Sequence, residues 1–146
     1  MKIQKLDNFS KDNSFESLDE IVNVNYTQDM LLEMANISQK TTGLDVIVWV
    51  QTNNTQTTGK HNQPRIKFQN NTAQKAQIQT GIPMSISQTP EILLKEKDMD
   101  KINLDAKQLK NIKQWIIDNY DLLMKYWNEE LATDEFIDEL KKNSNK

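Results

Sequence analysis

No cysteine occurs among the 146 residues, which excludes disulfides, thiolate zinc sites and cysteine nucleophiles together. Glycine is nearly as scarce. With only Gly43, Gly59 and Gly81, neither a phosphate-cradling P-loop nor a dinucleotide-binding fingerprint can be assembled. One histidine, His61, leaves a protein-only zinc site dependent on several converging carboxylates. No apolar run approaches the roughly 20 residues that span a bilayer, and no apolar h-region of a signal peptide is present. The expectation is a soluble cytoplasmic protein of a bacterial host cell, with no membrane contact, no cofactor and no metal.

The length suits one domain with a real hydrophobic core. An apolar fraction of 36%, with abundant Asn and Gln, assigns part of the chain to loops and tails. Arg65 is the only arginine among 18 basic residues, a bias that suits an AT-rich bacterial or phage genome. The net charge of -3 conceals segregation. Asp7 to Asp29 holds six acids against Lys11; Lys60 to Lys113 holds ten bases and five acids; Trp115 to Leu140 holds eight acids against Lys125. Such asymmetry speaks to partners and association rates rather than to fold.

Residues 1–26 read as a flexible or weakly helical segment, with Phe15, Leu18, Ile21 and Val22 at helical spacing. A single α+β domain follows over 27–142, and 143–146 read as a frayed tail. Thr27 as N-cap, with Met30, Leu31, Met34 and Ile37 as a stripe, predicts a helix that ends at Gly43. "LDVIVWVQ" predicts a central strand: Leu44, Val46, Val48 and Val50 line one face, Ile47 and Trp49 the other. "PRIKFQ" predicts a half-buried strand in which Ile66 and Phe68 alternate with an outward Arg65 and Lys67. "IPMSIS" adds a short strand, and Ile92 to Leu94 an edge strand. Asp105 and Gln108 form an Asp-x-x-Gln capping box. It opens one long helix whose stripe runs Leu109, Ile112, Ile116, Leu123, Trp127. Thr133 caps a last short helix built on Phe136, Ile137 and Leu140. The plan is a small antiparallel sheet of three to four strands packed against a long C-terminal helix plus a short terminal helix.

Two regions carry candidate chemistry. "GKHNQPRIKF" places His61, Lys60 and Arg65 close in sequence, the minimum for a small ribonuclease-like toxin: His61 as general acid or base, Lys60 and Arg65 stabilising phosphorane charge. Without a visible orienting carboxylate, a binding role asks for less. Lys60, His61, Arg65, Lys67 and Trp49 would then contact a partner or RNA, a guanidinium lying near an indole if the two strand faces coincide. The second region is acidic: Asp118, Asp121, Glu129, Glu130, Asp134, Glu135, Asp138 and Glu139 would meet a basic partner surface. "DMDKINLD" hints at a calcium loop, but Ile102 fills a ligand position and the required Gly is absent, so its acids read as solvated turn residues.

The run "TTGLDVIVWVQ", then "KHNQPRIKFQNN", then "IPMSIS" resembles a set of small proteins of unknown function from low-GC bacteria and their mobile elements, over roughly Thr41 to Leu131. "IKQWIIDNYDLLMKYWNEEL" is similar to the closing helix of a small family linked to toxin–antitoxin loci. In that family a Pro-containing strand with basic or His residues precedes a helix bearing Trp and a Leu-Leu pair. Arg65 and Lys67 stand here where its paired histidines would be. These resemblances imply a prophage or defence-island setting. The expected function is a non-enzymatic interaction protein that binds and inhibits a nucleic-acid-handling partner, of anti-CRISPR or other counter-defence type. The alternatives are the ribonuclease-like toxin, or an antitoxin-type partner that neutralises one.

Overall fold

A computed structural model describes residue 17 and residues 35–53, 63–71 and 80–144. Four short strands, β1 (Ala35–Ile37), β2 (Val48–Val50), β3 (Arg65–Phe68) and β4 (Ile82–Ser85), lie in the order β1-β2-β3-β4. Every neighbouring pair is antiparallel. The expected α+β plan is what forms: this sheet packs against C-terminal helices.

Register fixes which side chains share a face, because paired residues of an antiparallel ladder project to the same side. One row runs Ile37, Val48, Phe68, Ile82 and the next Ala35, Val50, Ile66, Met84. All eight are at most 1% exposed and join one cluster with Ile112, Ile116, Leu123, Tyr126, Phe136 and Leu140 from the helices. The "EILL" segment lies along β4, but through isolated bridging rather than as the expected edge strand. Met84 pairs with Ile92, Ser85 N donates to Glu91 O at 2.9 Å, and Leu93 N donates to Pro83 O at 2.9 Å.

Between β1 and β2 sits a single helical turn, α1 (Gln39–Thr42), capped by Ser38, whose Oγ accepts from Thr41 N. Gly43 ends it at φ 78, a left-handed conformation that glycine adopts without steric cost. The helix expected from Thr27 does not reach Ile37: Ala35–Ile37 is a strand, and the rest of that segment lies outside the described residues. β-sheet pairing with the Val-rich β2 overrides the helical spacing of Met34 and Ile37.

A 3-10 turn, Glu96–Lys101, leads into α2 (Ala106–Asp118). The capping box forms as expected: Gln108 N donates to Asp105 Oδ1 at 2.7 Å, and Asp105 N donates to Gln108 Oε1 at 2.9 Å. The one long helix does not form. Asn119 interrupts it, and α3 (Tyr120–Trp127) begins one residue later. Asp118 and Asn119 are weak helix formers whose short polar side chains compete for backbone groups. Asn119 does so here, its Nδ2 donating to Trp115 O at 2.9 Å.

The last helix, α4 (Thr133–Ser144), is also longer than expected and takes in Asn143 and Ser144. Its cap is not Thr133. Ala132 N donates to Glu135 Oε1 at 3.0 Å, while the Thr133 hydroxyl bonds the Tyr126 hydroxyl at 2.9 Å. Tyr126 stacks on Phe136 with ring centroids 4.4 Å apart, which pins α3 to α4. α4 also packs on α1 and β1. Trp115 and Trp127 are buried, as core anchors are.

Candidate functional site

The reverse face of the sheet carries the basic residues singled out from sequence. Its register row runs Asn36, Trp49, Lys67, Pro83, and beside it Arg65 pairs with Ser85. The two strand faces therefore coincide, and Trp49 is the direct cross-strand neighbour of Lys67. They are not in solvent, however. Trp49 is 6% exposed, Arg65 3% and Lys67 2%, so the expected half-buried strand with an outward basic face is a fully buried one. Trp49 and Leu93 are buried outside the helix-facing cluster, so this side has an apolar content of its own. A sheet buried on both faces removes the meaning of alternation: polar residues at every second position no longer mark water.

Burial governs the electrostatics. The Lys67 amine is held down at about 7 from an ordinary 10.5, first by loss of solvent and then by the neighbouring Arg65 charge. The Arg65 guanidinium is lowered to about 10 by burial alone. Both side chains are engaged by other groups of the protein. The Arg65 Nε and Nη1 atoms are fully buried and make no hydrogen bond among the described residues, so its engagement lies elsewhere on the side chain. Cations enclosed in this way stand apart from any phosphate in solvent, so neither the stacking platform nor Arg65's part in a ribonuclease is favoured by this packing. Lys60 and His61, the other members of both sets, lie outside the described residues.

The acidic set behaves differently. Asp118, Asp121, Glu129, Glu130, Asp134, Glu135 and Asp138 are all exposed, and Glu139 is half-buried. Some of these carboxylates also serve the fold. Asp118 Oδ1 accepts from Gln114 Nε2 at 2.9 Å, Glu135 caps α4, and Glu139 pairs with Lys142 at 3.1 Å. Between α3 and α4 runs an open groove of about 390 Å³, lined by Leu122 and Leu131, by Glu135, Asp138 and Glu139, and by Lys125 and Lys142. Asp98 of the "DMDKINLD" segment departs from the solvated-turn expectation: it is 4% exposed and ion-paired with Lys101 at 3.2 Å. Among the described residues no group of three or more His, Asp or Glu is placed to hold a metal ion. Nor is any helix among them long and apolar enough to cross a membrane.

Sequence reasoning missed a second concavity, a furrow of about 670 Å³ where the α2–α3 junction meets α1 and the end of α4. Trp115, Asp118, Asn119, Asn143 and Lys40 are among its lining residues. The available signal was Asp118-Asn119 in mid-helix, two weak helix formers that mark the break lining this furrow. Comparison of the chain with protein-family models, with curated proteins and with solved structures gave no match.

Proposed function

We propose that this is a non-catalytic interaction protein of a bacterial or phage mobile element, which docks its acidic C-terminal helices on the basic surface of a nucleic-acid-handling protein and thereby inhibits it. Anti-CRISPR or another counter-defence activity is the concrete form of this reading, and an antitoxin would use the same physical contact. One observation carries it. Seven carboxylates between Asp118 and Asp138 stand in solvent, while the strand cations that would serve RNA binding or cleavage are enclosed. A surface on which carboxylates outnumber the exposed Lys125, Lys141 and Lys142 accelerates encounter with a basic one and disfavours nucleic acid, so it competes for the partner's phosphate-binding path. The α3–α4 groove adds an apolar strip beside the carboxylates, which supplies the water-excluding contact that charge alone lacks.

The test uses tagged full-length protein and lysate of a low-GC bacterium. Capture of a nucleic-acid-binding protein should weaken as salt rises and should fail for the Glu130→Lys, Asp138→Lys double variant. Neither carboxylate caps a helix or ion-pairs within the described residues, so the variant should fold. Capture indifferent to both salt and charge reversal overturns the reading. RNA cleavage by the purified protein that disappears in His61→Ala would hand the function to the ribonuclease-like alternative.

A further inference from the structure

The furrow at the α2–α3 junction is a polar concavity that the docking surface does not by itself explain. Asn119 organises it. This residue is only 7% exposed, and its Nδ2 is committed to Trp115 O. Its Oδ1 accepts from Asn143 Nδ2 at 3.3 Å. That chain of bonds fixes the Asn143 amide, whose own Oδ1 has no hydrogen-bond partner among the described residues. Asp118 is in the same position: Gln114 occupies Oδ1, and Oδ2 has no hydrogen-bond partner among the described residues. Both residues line the furrow, and both also line a separate, adjoining hollow of about 210 Å³ that adds Tyr120 and Asp121.

Aromatic walls and a donor complete the set. Trp115 lines the furrow with its remaining 8% exposure, and its indole N–H has no hydrogen-bond partner among the described residues. α4 ends here at Ser144, and a helix C-terminus carries partial negative charge. The furrow itself offers the Asp118 carboxylate, the Asn143 amide oxygen and the Trp115 indole, and the adjoining hollow adds Asp121 and Tyr120; together these suit a planar cation with several donors. A guanidinium meets that description better than an ammonium, because its fork can reach separate acceptors while its face lies on a ring.

We propose that this furrow is the anchor subsite of the docking surface and takes one arginine side chain of the basic partner, with the indole N–H of Trp115 available to a carbonyl of the same peptide. The inference rests on the docking reading above. Among the described residues Lys40 is the one cation lining the furrow, exposed and outside any ion pair. It competes with the incoming arginine.

Indole N–H resonances of the full chain, with Trp115 assigned through Trp115→Phe, report the site directly. The probes are blocked tripeptides Gly-Arg-Gly, Gly-Lys-Gly and Gly-Glu-Gly. The arginine peptide should move the Trp115 resonance saturably, the lysine peptide less, and the glutamate peptide not at all. Asp118→Asn, which keeps the acceptor for Gln114, should weaken the arginine peptide about fivefold. Lys40→Ala should tighten it about twofold. A Trp115 resonance unmoved by the arginine peptide overturns the proposal, as does one moved equally by the glutamate peptide. Weaker binding in Lys40→Ala overturns it too, since Lys40 would then be holding an anion. The same variants separate this proposal from the reading beneath it. Lysate capture lost in Glu130→Lys, Asp138→Lys but unchanged in Asp118→Asn removes the furrow and keeps the docking surface; capture unchanged in all of them removes both.

Discussion

On the helix-facing side of the sheet the row Ile37, Val48, Phe68, Ile82 is apolar throughout. On the reverse the equivalent row is Asn36, Trp49, Lys67, Pro83, with Arg65 alongside. From β2 to β4 both sides are buried to within a few per cent, so the difference is not one of water access. It is one of what burial does to each residue. For Phe68 leaving water is the stabilising event. For Lys67 and Arg65 it is a cost, which solvent no longer offsets and other contacts must. The same strand, β3, is thus held down by one set of its side chains and pulled towards solvent by the other.

The sharpest way to break this comparison is to truncate the apolar side. Phe68→Ala should cost about 3–5 kcal/mol, since the ring is fully buried in a cluster shared by sheet and helices. Denaturant unfolding measures it. A loss below about 1 kcal/mol would mean that the helices do not close on β3 as described, and the apolar face would lose its claim to be the stronger one.

The next effect belongs to the basic side and has a sign that distinguishes it. Below about pH 7 the Lys67 amine is protonated in both the folded and the unfolded chain, and the full cost of enclosing its charge is felt. Above that pH the folded protein holds the amine neutral while the unfolded chain, at 10.5, still binds the proton. Unfolding then takes up a proton, so stability rises with pH from about 7 towards 10.5. The gain from this group is on the order of a few kcal/mol. Lys67→Met should abolish that rise and raise stability at pH 7, because an apolar chain of similar length carries no charge to desolvate. Arg65→Met should move the start of the rise to higher pH by removing the neighbouring positive charge. Melting curves across that range check all three chains; a wild-type stability flat from pH 7 to 10 would show that Lys67 is solvated.

How far these features were legible from sequence differs between the two sides of the sheet. Alternation placed Ile66 and Phe68 inward correctly and found β2 and β4, but left open whether Trp49 shares the face of Arg65 and Lys67, which only the strand register decides. The capping box of α2 was legible because its two partners lie three residues apart and need no tertiary context. What alternation cannot report is whether the second face is covered. The apolar Ile47, Trp49 and Pro83 on that side were the available hint, and the charges of Arg65 and Lys67 outweighed it. The interrupted helix was misread for a related reason. The stripe from Leu109 to Trp127 continues across Asn119, so periodicity alone joins α2 to α3 although the backbone does not. The acidic residues needed no such context, because carboxylates on the helix faces opposite an apolar stripe face water by default.

The smallest predicted effect locates the boundary of the covered face. Asn36 stands in register with Trp49 and Lys67, yet it is exposed where they are buried, and its side chain makes no hydrogen bond among the described residues. The cover therefore stops between β1 and β2. Asn36→Thr places a β-branched side chain on an edge strand facing water, where strand preference and the lost amide nearly balance. Stability should change by less than about 0.5 kcal/mol. Were the substitution instead to cost as much as a core truncation, β1 would have to lie beneath the same cover as Trp49. The reverse face would then be a complete second core across all four strands, with its cations enclosed at the centre.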